Sequence, residues 1–242
     1  MRWLNKAEVQ GYIEAMKLLR DITQENKAEA IKKYREEAEW GNAEAQYRLG
    51  RCYSYGIEVA EDEAEAAKWF HKAAEQGHAE AQCELGFHYA LGFGVPEDIA
   101  EAIGWYKKAA EQGNAEAQYV FGVYCFSGIG VAEDKTEGVK WYHKAAQQGN
   151  IDAQCALGDY YVGLDISEGR AEGVEWYRQA AQQGRAYAQY RLGVCYFNAW
   201  GIPEDKAEAV KWFRKAAKQG HAHAAQMLEV KPSELVESAD NA

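Results

Sequence analysis

The chain is poor in the groups on which many enzymes, secreted proteins and nucleic-acid binders depend. Its 242 residues include only five Ser and two Thr, so a hydroxyl-nucleophile mechanism has few candidates. Three Pro leave most of the chain free to be helical. Five Cys is an odd number at irregular spacing, with no Cys-x-x-Cys and no His-Glu-x-x-His. That suits reduced thiols in a cytoplasm and predicts neither a metal site nor a cofactor. Cations are outnumbered, 27 Lys and Arg against 38 Asp and Glu, for a net charge of −11. A sequence-independent nucleic-acid binder needs the opposite balance, and so does a protein that lies on anionic lipid. No run approaches the ~18 apolar residues of a membrane span. The opening Met1-Arg2-Trp3-Leu4-Asn5-Lys6-Ala7-Glu8 has no apolar core for a secretory signal. These features predict a cytoplasmic protein without membrane or nucleic-acid partners.

What the chain does have is self-similarity. Residues 42–77 read NAEAQYRLGRCYSYGIEVAEDEAEAAKWFHKAAEQG, and residues 78–113 read HAEAQCELGFHYALGFGVPEDIAEAIGWYKKAAEQG. The pattern returns at 114–149, at 150–184 with one residue deleted, and at 185–220. Each unit predicts two helices. The first carries Ala, Ala, Leu, Gly and Tyr along one stripe, as in Ala43, Ala45, Leu49, Gly50 and Tyr53. A Gly-containing turn leads to Asp-x-x-Glu, as in Asp62/Glu65, Asp98/Glu101, Asp134/Glu137 and Asp205/Glu208. Such a pair predicts a capping box, the Asp accepting from free N–H groups while the Glu reaches back, worth about 1 kcal/mol. The second helix carries Trp with a Tyr or Phe, then Ala-Ala, and ends at Gly77, Gly113, Gly149, Gly184 or Gly220.

One such hairpin cannot bury its own apolar stripe, but stacked hairpins can. A Gly inside a helix costs roughly 1 kcal/mol against Ala. Its return at Gly50, Gly86, Gly122, Gly158 and Gly193 predicts helices too close for a side chain. The fold class expected is all-α, a right-handed α-α superhelix. Residues 1–41 are expected to form degenerate capping helices, with one over residues 4–20. Residues 42–220 form the five repeats, and 221–242 a capping helix and acidic tail. Trp69, Trp105, Trp141, Trp176 and Trp212 recur at one repeat position and are expected to fill the same inter-helix gap. The Cys that share a repeat position lie two or more units apart, beyond disulfide reach, and are expected to be reduced, mostly buried thiols.

With these residues in view, the sequence resembles the Sel1-like repeat family, relatives of the tetratricopeptide repeats. In the third unit the likeness runs through Ala115, Ala117, Gly122, Gly128, Gly130-Val131, Asp134, Trp141-Tyr142, Ala145-Ala146 and Gly149. Cys125 stands where the family has Tyr. The fourth unit departs from the pattern, because its turn is short and lacks the capping Asp. The resemblance implies a non-enzymatic adaptor that binds a protein or peptide. An immunity-type inhibitor that occludes a partner is an alternative within it. Cysteine-rich relatives suggest a β-lactam-binding hydrolase, but no Ser-x-x-Lys is present to support it.

Positions constant across units serve the stack, so the variable ones are free for a partner. On the first helices one such face carries Arg48, Arg51 and Tyr55, then Glu84, Phe87 and His88, then Val123 and Tyr124. Asp159 and Tyr160 follow, then Arg191 and Val194. In stacks of this kind first helices line the concave side, and Arg and aromatic residues are the usual interface anchors. This face is the predicted binding groove, in a chain expected to be a monomer. Trp200, in a turn where other units carry Ile or Phe, is a further expected contact.

Overall fold

The computed structural model describes residues 27–164 and 167–230. The helix expected over residues 4–20, the tail after Val230, and Asp165 and Ile166 of the fourth turn lie outside them. The described residues hold twelve helices and no strand. They are α1 (Lys27–Glu39), α2 (Ala43–Ser54), α3 (Glu63–Glu75), α4 (Ala79–Leu91), α5 (Ile99–Glu111) and α6 (Ala115–Ser127). Then come α7 (Lys135–Gln147), α8 (Ile151–Gly163), α9 (Ser167–Gln182), α10 (Ala186–Asn198), α11 (Lys206–Lys218) and α12 (Ala222–Val230). Even-numbered helices are the first helices of the repeats and odd-numbered ones the second. The fold is a helical-repeat solenoid, as the sequence predicts. The chain divides into two compact units, Met1–Tyr124 with Gly128–Ala132, and Cys125–Ser127 with Glu133–Ala242.

Local chemistry sets the helix ends. Asn42, Asn114 and Asn150 open α2, α6 and α8 by accepting from the N–H three residues on. His78 caps α4 through Nδ1, which accepts from the Ala81 N–H at 3.3 Å. Asp62, Asp98, Asp134 and Asp205 open α3, α5, α7 and α11 in the same way. The expected capping box is only half made. The N–H of Asp62 donates to the Tyr53 carbonyl at 2.9 Å, and that of Asp205 to Tyr196 at 3.0 Å. With this donor already satisfied by the preceding helix, the Glu turns outward. Glu65, Glu137 and Glu208 accept instead from Lys68, Lys140 and Lys211 one turn on. At the other end of α3 the His78 N–H reaches back to the Ala73 carbonyl at 3.1 Å, past Gly77 at φ +86°. This six-residue closure needs a left-handed residue, which is why Gly ends the second helices.

The mid-helix Gly are packing residues. A Cβ built on Gly50 would meet the Phe70 ring at 2.7 Å, and one on Gly158 the Tyr177 ring at 2.5 Å. Gly193 stands in the same relation to Phe213. Phe70, Tyr177 and Phe213 are in turn buried to within 1%. Trp69, Trp105 and Trp141 are buried as expected, while Trp176 and Trp212 are half-buried. Lys72, Lys108, Lys144 and Lys215 each lie 3.5–3.9 Å above the Trp three residues before them. These Lys cover the outer ring faces and keep their charge in water.

A row of buried Gln, unremarked in the sequence reading, threads both units. Gln46, Gln82, Gln118, Gln154 and Gln189 are all at most 5% exposed. Each donates to a carbonyl near the end of the preceding second helix: Ala38, Ala74, Ala110, Ala146 and Ala181. The carboxamide oxygens of Gln46, Gln82, Gln154 and Gln189 also accept from a later Gln, as Gln82 does from Gln112 at 2.7 Å. A buried amide left unpaired would cost about 1–3 kcal/mol, so the row specifies how each repeat seats on the last.

A candidate protein-binding face

In the first unit the face rests on α2, α4 and α6. Tyr47, Arg51 and Tyr55 follow one another at a helical turn's spacing, and the Arg51 guanidinium lies 5.7 and 5.6 Å from the two ring centroids. Two rings on one guanidinium hold a mobile side chain still. Burial pushes the Tyr47 phenol up, and the Glu84 carboxylate adds to the shift, which places α4's acid beside α2's ring. Phe87 meets Phe93 of the following turn edge-on at 5.6 Å. Tyr124 lies 6.1 Å from Tyr106. Arg51, Tyr55, Glu84, Phe87, Val123 and Tyr124 are all half-buried.

His88 is a correction to the expected face. It is 1% exposed and lies beneath the surface, with Nδ1 2.8 Å from the Phe93 carbonyl oxygen. The two outer Arg are also less free than expected. Arg48 donates to the Tyr34 hydroxyl at 3.0 Å and pairs with Glu44. Arg191, in the second unit, donates to the Tyr177 hydroxyl at 2.8 Å. Each Arg stands fourteen residues after its Tyr, with its guanidinium 5.5 or 5.3 Å from that ring. Where the Arg is replaced, by Glu84, Val120 or Ala156, no such clamp can form. The signal was in the sequence as a matched pair, Tyr34 with Arg48 and Tyr177 with Arg191.

In the second unit Asp159 is a hub. It accepts from the Tyr177 hydroxyl at 2.5 Å and the Tyr187 hydroxyl at 2.7 Å, and lies 3.5 Å from Arg191. Burial drives the Tyr177 phenol up, and the neighbouring carboxylate reinforces it. Tyr160 meets Phe126 at 88° and Tyr161 at 73°, a cluster of crossed rings. Val194 is half-buried, and Trp200 is 37% exposed in its turn.

Other features carry little reactivity. Four of the five Cys are buried and Cys83 is half-buried, none is in a disulfide, and burial pushes the Cys52 and Cys195 thiols up to about 11. Such thiols are protonated and inert at neutral pH. A cleft of about 520 Å³ opens between α3 and α5, lined by His71, Glu75, Gln82, Trp105 and Lys108. Among the described residues no group of three His, Cys, Asp or Glu could hold a metal ion, and no helix is long and apolar enough to cross a membrane.

Stacked two-helix repeats with half-buried Arg and aromatic residues on their first helices define a helical-repeat scaffold. The chain belongs to the Sel1 repeat family, whose model matches residues 43–78, 79–114, 115–150, 151–184 and 186–221. It is similar to a crystal structure of a protective antigen from uropathogenic Escherichia coli, at 34% identity and a TM-score of 0.84. That match covers 97% of this chain and 52% of the antigen, so the chain spans about half the antigen's length. A Sel1 repeat protein from Oxalobacter formigenes matches at 35% identity and a TM-score of 0.74, over 81% of this chain and 79% of that one. An immunity protein from Pseudomonas aeruginosa matches at 25% identity and a TM-score of 0.50, over 77% and 69%. The search of curated proteins gave no match.

Proposed function

We propose that the protein is a non-enzymatic adaptor that binds another protein or a peptide across the first-helix face of its first unit. The observation that carries this reading is the Tyr47–Arg51–Tyr55 stack beside half-buried Phe87 and Tyr124. Arg and aromatic side chains held still lose little entropy on binding, which is what makes them effective anchors. An open face suits a protein edge or peptide better than a small molecule. Asp159, Tyr160, Arg191 and Val194 offer a second face, with Trp200 in a nearby turn as a further contact. Five thiols outside any disulfide favour a reducing, cytoplasmic location. A monomer is the assembly we favour.

Phe87→Ala combined with Tyr124→Ala tests the first face. Partner capture from the native host should fall at least tenfold while helicity by circular dichroism stays at the wild-type level. Capture unchanged at full helicity would remove the assignment. A narrower reading, an immunity protein that blocks one partner, is supported by the Pseudomonas relative. It requires the captured partner to lose its own activity when bound.

A further inference from the structure

His88 is the one His in the described residues that is fully buried, and it sits where four pieces of the first unit meet. It belongs to α4. Its Nδ1 donates to the Phe93 carbonyl oxygen of the following turn at 2.8 Å. The Phe70 ring of α3 packs edge-on at 5.1 Å, and Phe87 and Phe93 lie at 6.3 and 6.4 Å. The proton on Nδ1 leaves Nε2 of the neutral ring with a lone pair. That lone pair faces Glu63, the first residue of α3, at 3.7 Å from Oε2. The same Oε2 accepts from the Ser54 hydroxyl at the end of α2, at 3.0 Å. The other charges near this joint, Glu61 and Asp62, are acidic and act on Glu63 from its own chain segment.

We propose that the His88–Glu63 joint is a proton-sensitive seat: acidification loosens the attachment of the second repeat, and of the turn carrying Phe93, to the first. The inference goes beyond the binding reading and needs no partner for its test. Its physical basis is the cost of a charge in a dry site. Burial holds His88 below the ordinary imidazole value, against the opposing effect of its bond to Phe93. Burial likewise holds Glu63 above the ordinary carboxylate value, against the Ser54 bond.

The signs follow from linkage. An unfolded chain takes a proton on this His near pH 6.5, while the folded chain takes it only at lower pH. Between those two values the unfolded state binds more protons, so stability falls as pH falls. Glu63 acts oppositely, between about 4.5 and its raised value. Wild type and His88→Asn share Glu63, so the difference between them isolates the His88 contribution.

His88→Asn keeps a donor on the Nδ1 side and cannot titrate. Between about pH 7 and about pH 5.5 the wild-type urea midpoint should fall, and that of His88→Asn should fall less. The imidazole itself is followed by its carbon-bound proton in an NMR titration of the full chain. Its midpoint should lie below the ordinary imidazole value, and Glu63→Gln, which removes the facing carboxylate, should lower it further. A midpoint at or above the ordinary value overturns the proposal. So does an unchanged midpoint in Glu63→Gln, or an identical pH dependence in His88→Asn. If His88→Asn fails to fold, the wild-type and Glu63→Gln titrations still decide.

Discussion

Gly94→Ala is expected to cost about 3–5 kcal/mol and to unfold much of the first unit, although it adds one methyl group. A Cβ at this position would lie 2.0 Å from the Glu63 carbonyl oxygen, 2.2 Å from its carbon and 2.5 Å from the Ala64 nitrogen. All three are backbone atoms at the start of α3, a helix end fixed by the Asp62 cap. A flexible side chain could swing aside, but this backbone cannot move without loosening the cap. The residue is also left-handed, at φ +68°, where an L side chain is already strained. Gly77→Ala isolates that second cost. It has φ +86° and nothing within 4 Å of its built Cβ, so it should lose only about 1 kcal/mol. Urea unfolding of both variants, followed by circular dichroism, separates the contact from the conformation. Similar losses in the two would mean that the second turn does not rest on α3 as described.

Phe70→Ala should cost about 3–5 kcal/mol, because it empties a site only 1% exposed. Its partner gives a sharper result. Ala is a better helix former than Gly by about 1 kcal/mol, so Gly50→Ala should stabilise an isolated α2. In the wild-type protein it should instead destabilise, because its Cβ would meet the Phe70 ring at 2.7 Å and the Ala66 carbonyl at 3.3 Å. In the Phe70→Ala background the ring is gone, and the same substitution should become neutral or favourable. A double-mutant cycle on urea midpoints reads the reversal directly. Additive effects would show that the Gly does not exist to admit the ring.

The helical hairpins, their Asp and Gly ends and the buried Trp were legible because each repeats a strong local signal. The period did most of the work: one residue type returning at one position must meet one environment. The Gln row carried the same signal and was passed over, since Gln reads as surface until a carbonyl is shown beside it. Gln46 and Gln82 are buried only because the preceding second helices end with carbonyls to satisfy. The outward turn of Glu65 was likewise hidden, because the donor it would have met is taken by Tyr53, nine residues before Asp62.

The candidate face was legible only in part, for a geometric reason. A helical wheel locates a stripe but not the depth of each residue in it. His88 shares its repeat position with Cys52 and Cys195, both buried, and with Tyr124, which is half-buried. With Tyr160 also half-buried, the column is split between two Cys inside and two Tyr at the surface, so repeat position alone does not set the depth of His88. Arg48 and Arg191 looked like free anchors because their Tyr partners lie on the preceding second helix, one repeat earlier. Arg51 differs from them in that its two Tyr neighbours, Tyr47 and Tyr55, lie one turn away along its own chain segment.

The central claim is that variable positions on the first helices, rather than the outer surface of the second helices, meet the partner. A photo-activated cross-linking residue placed at Phe87 or Val123, and separately at exposed Lys107 on α5, tests it in the native host. The account predicts one discrete adduct from positions 87 and 123 and none from position 107. An adduct from position 107 alone, or equal labelling at all three, would contradict it.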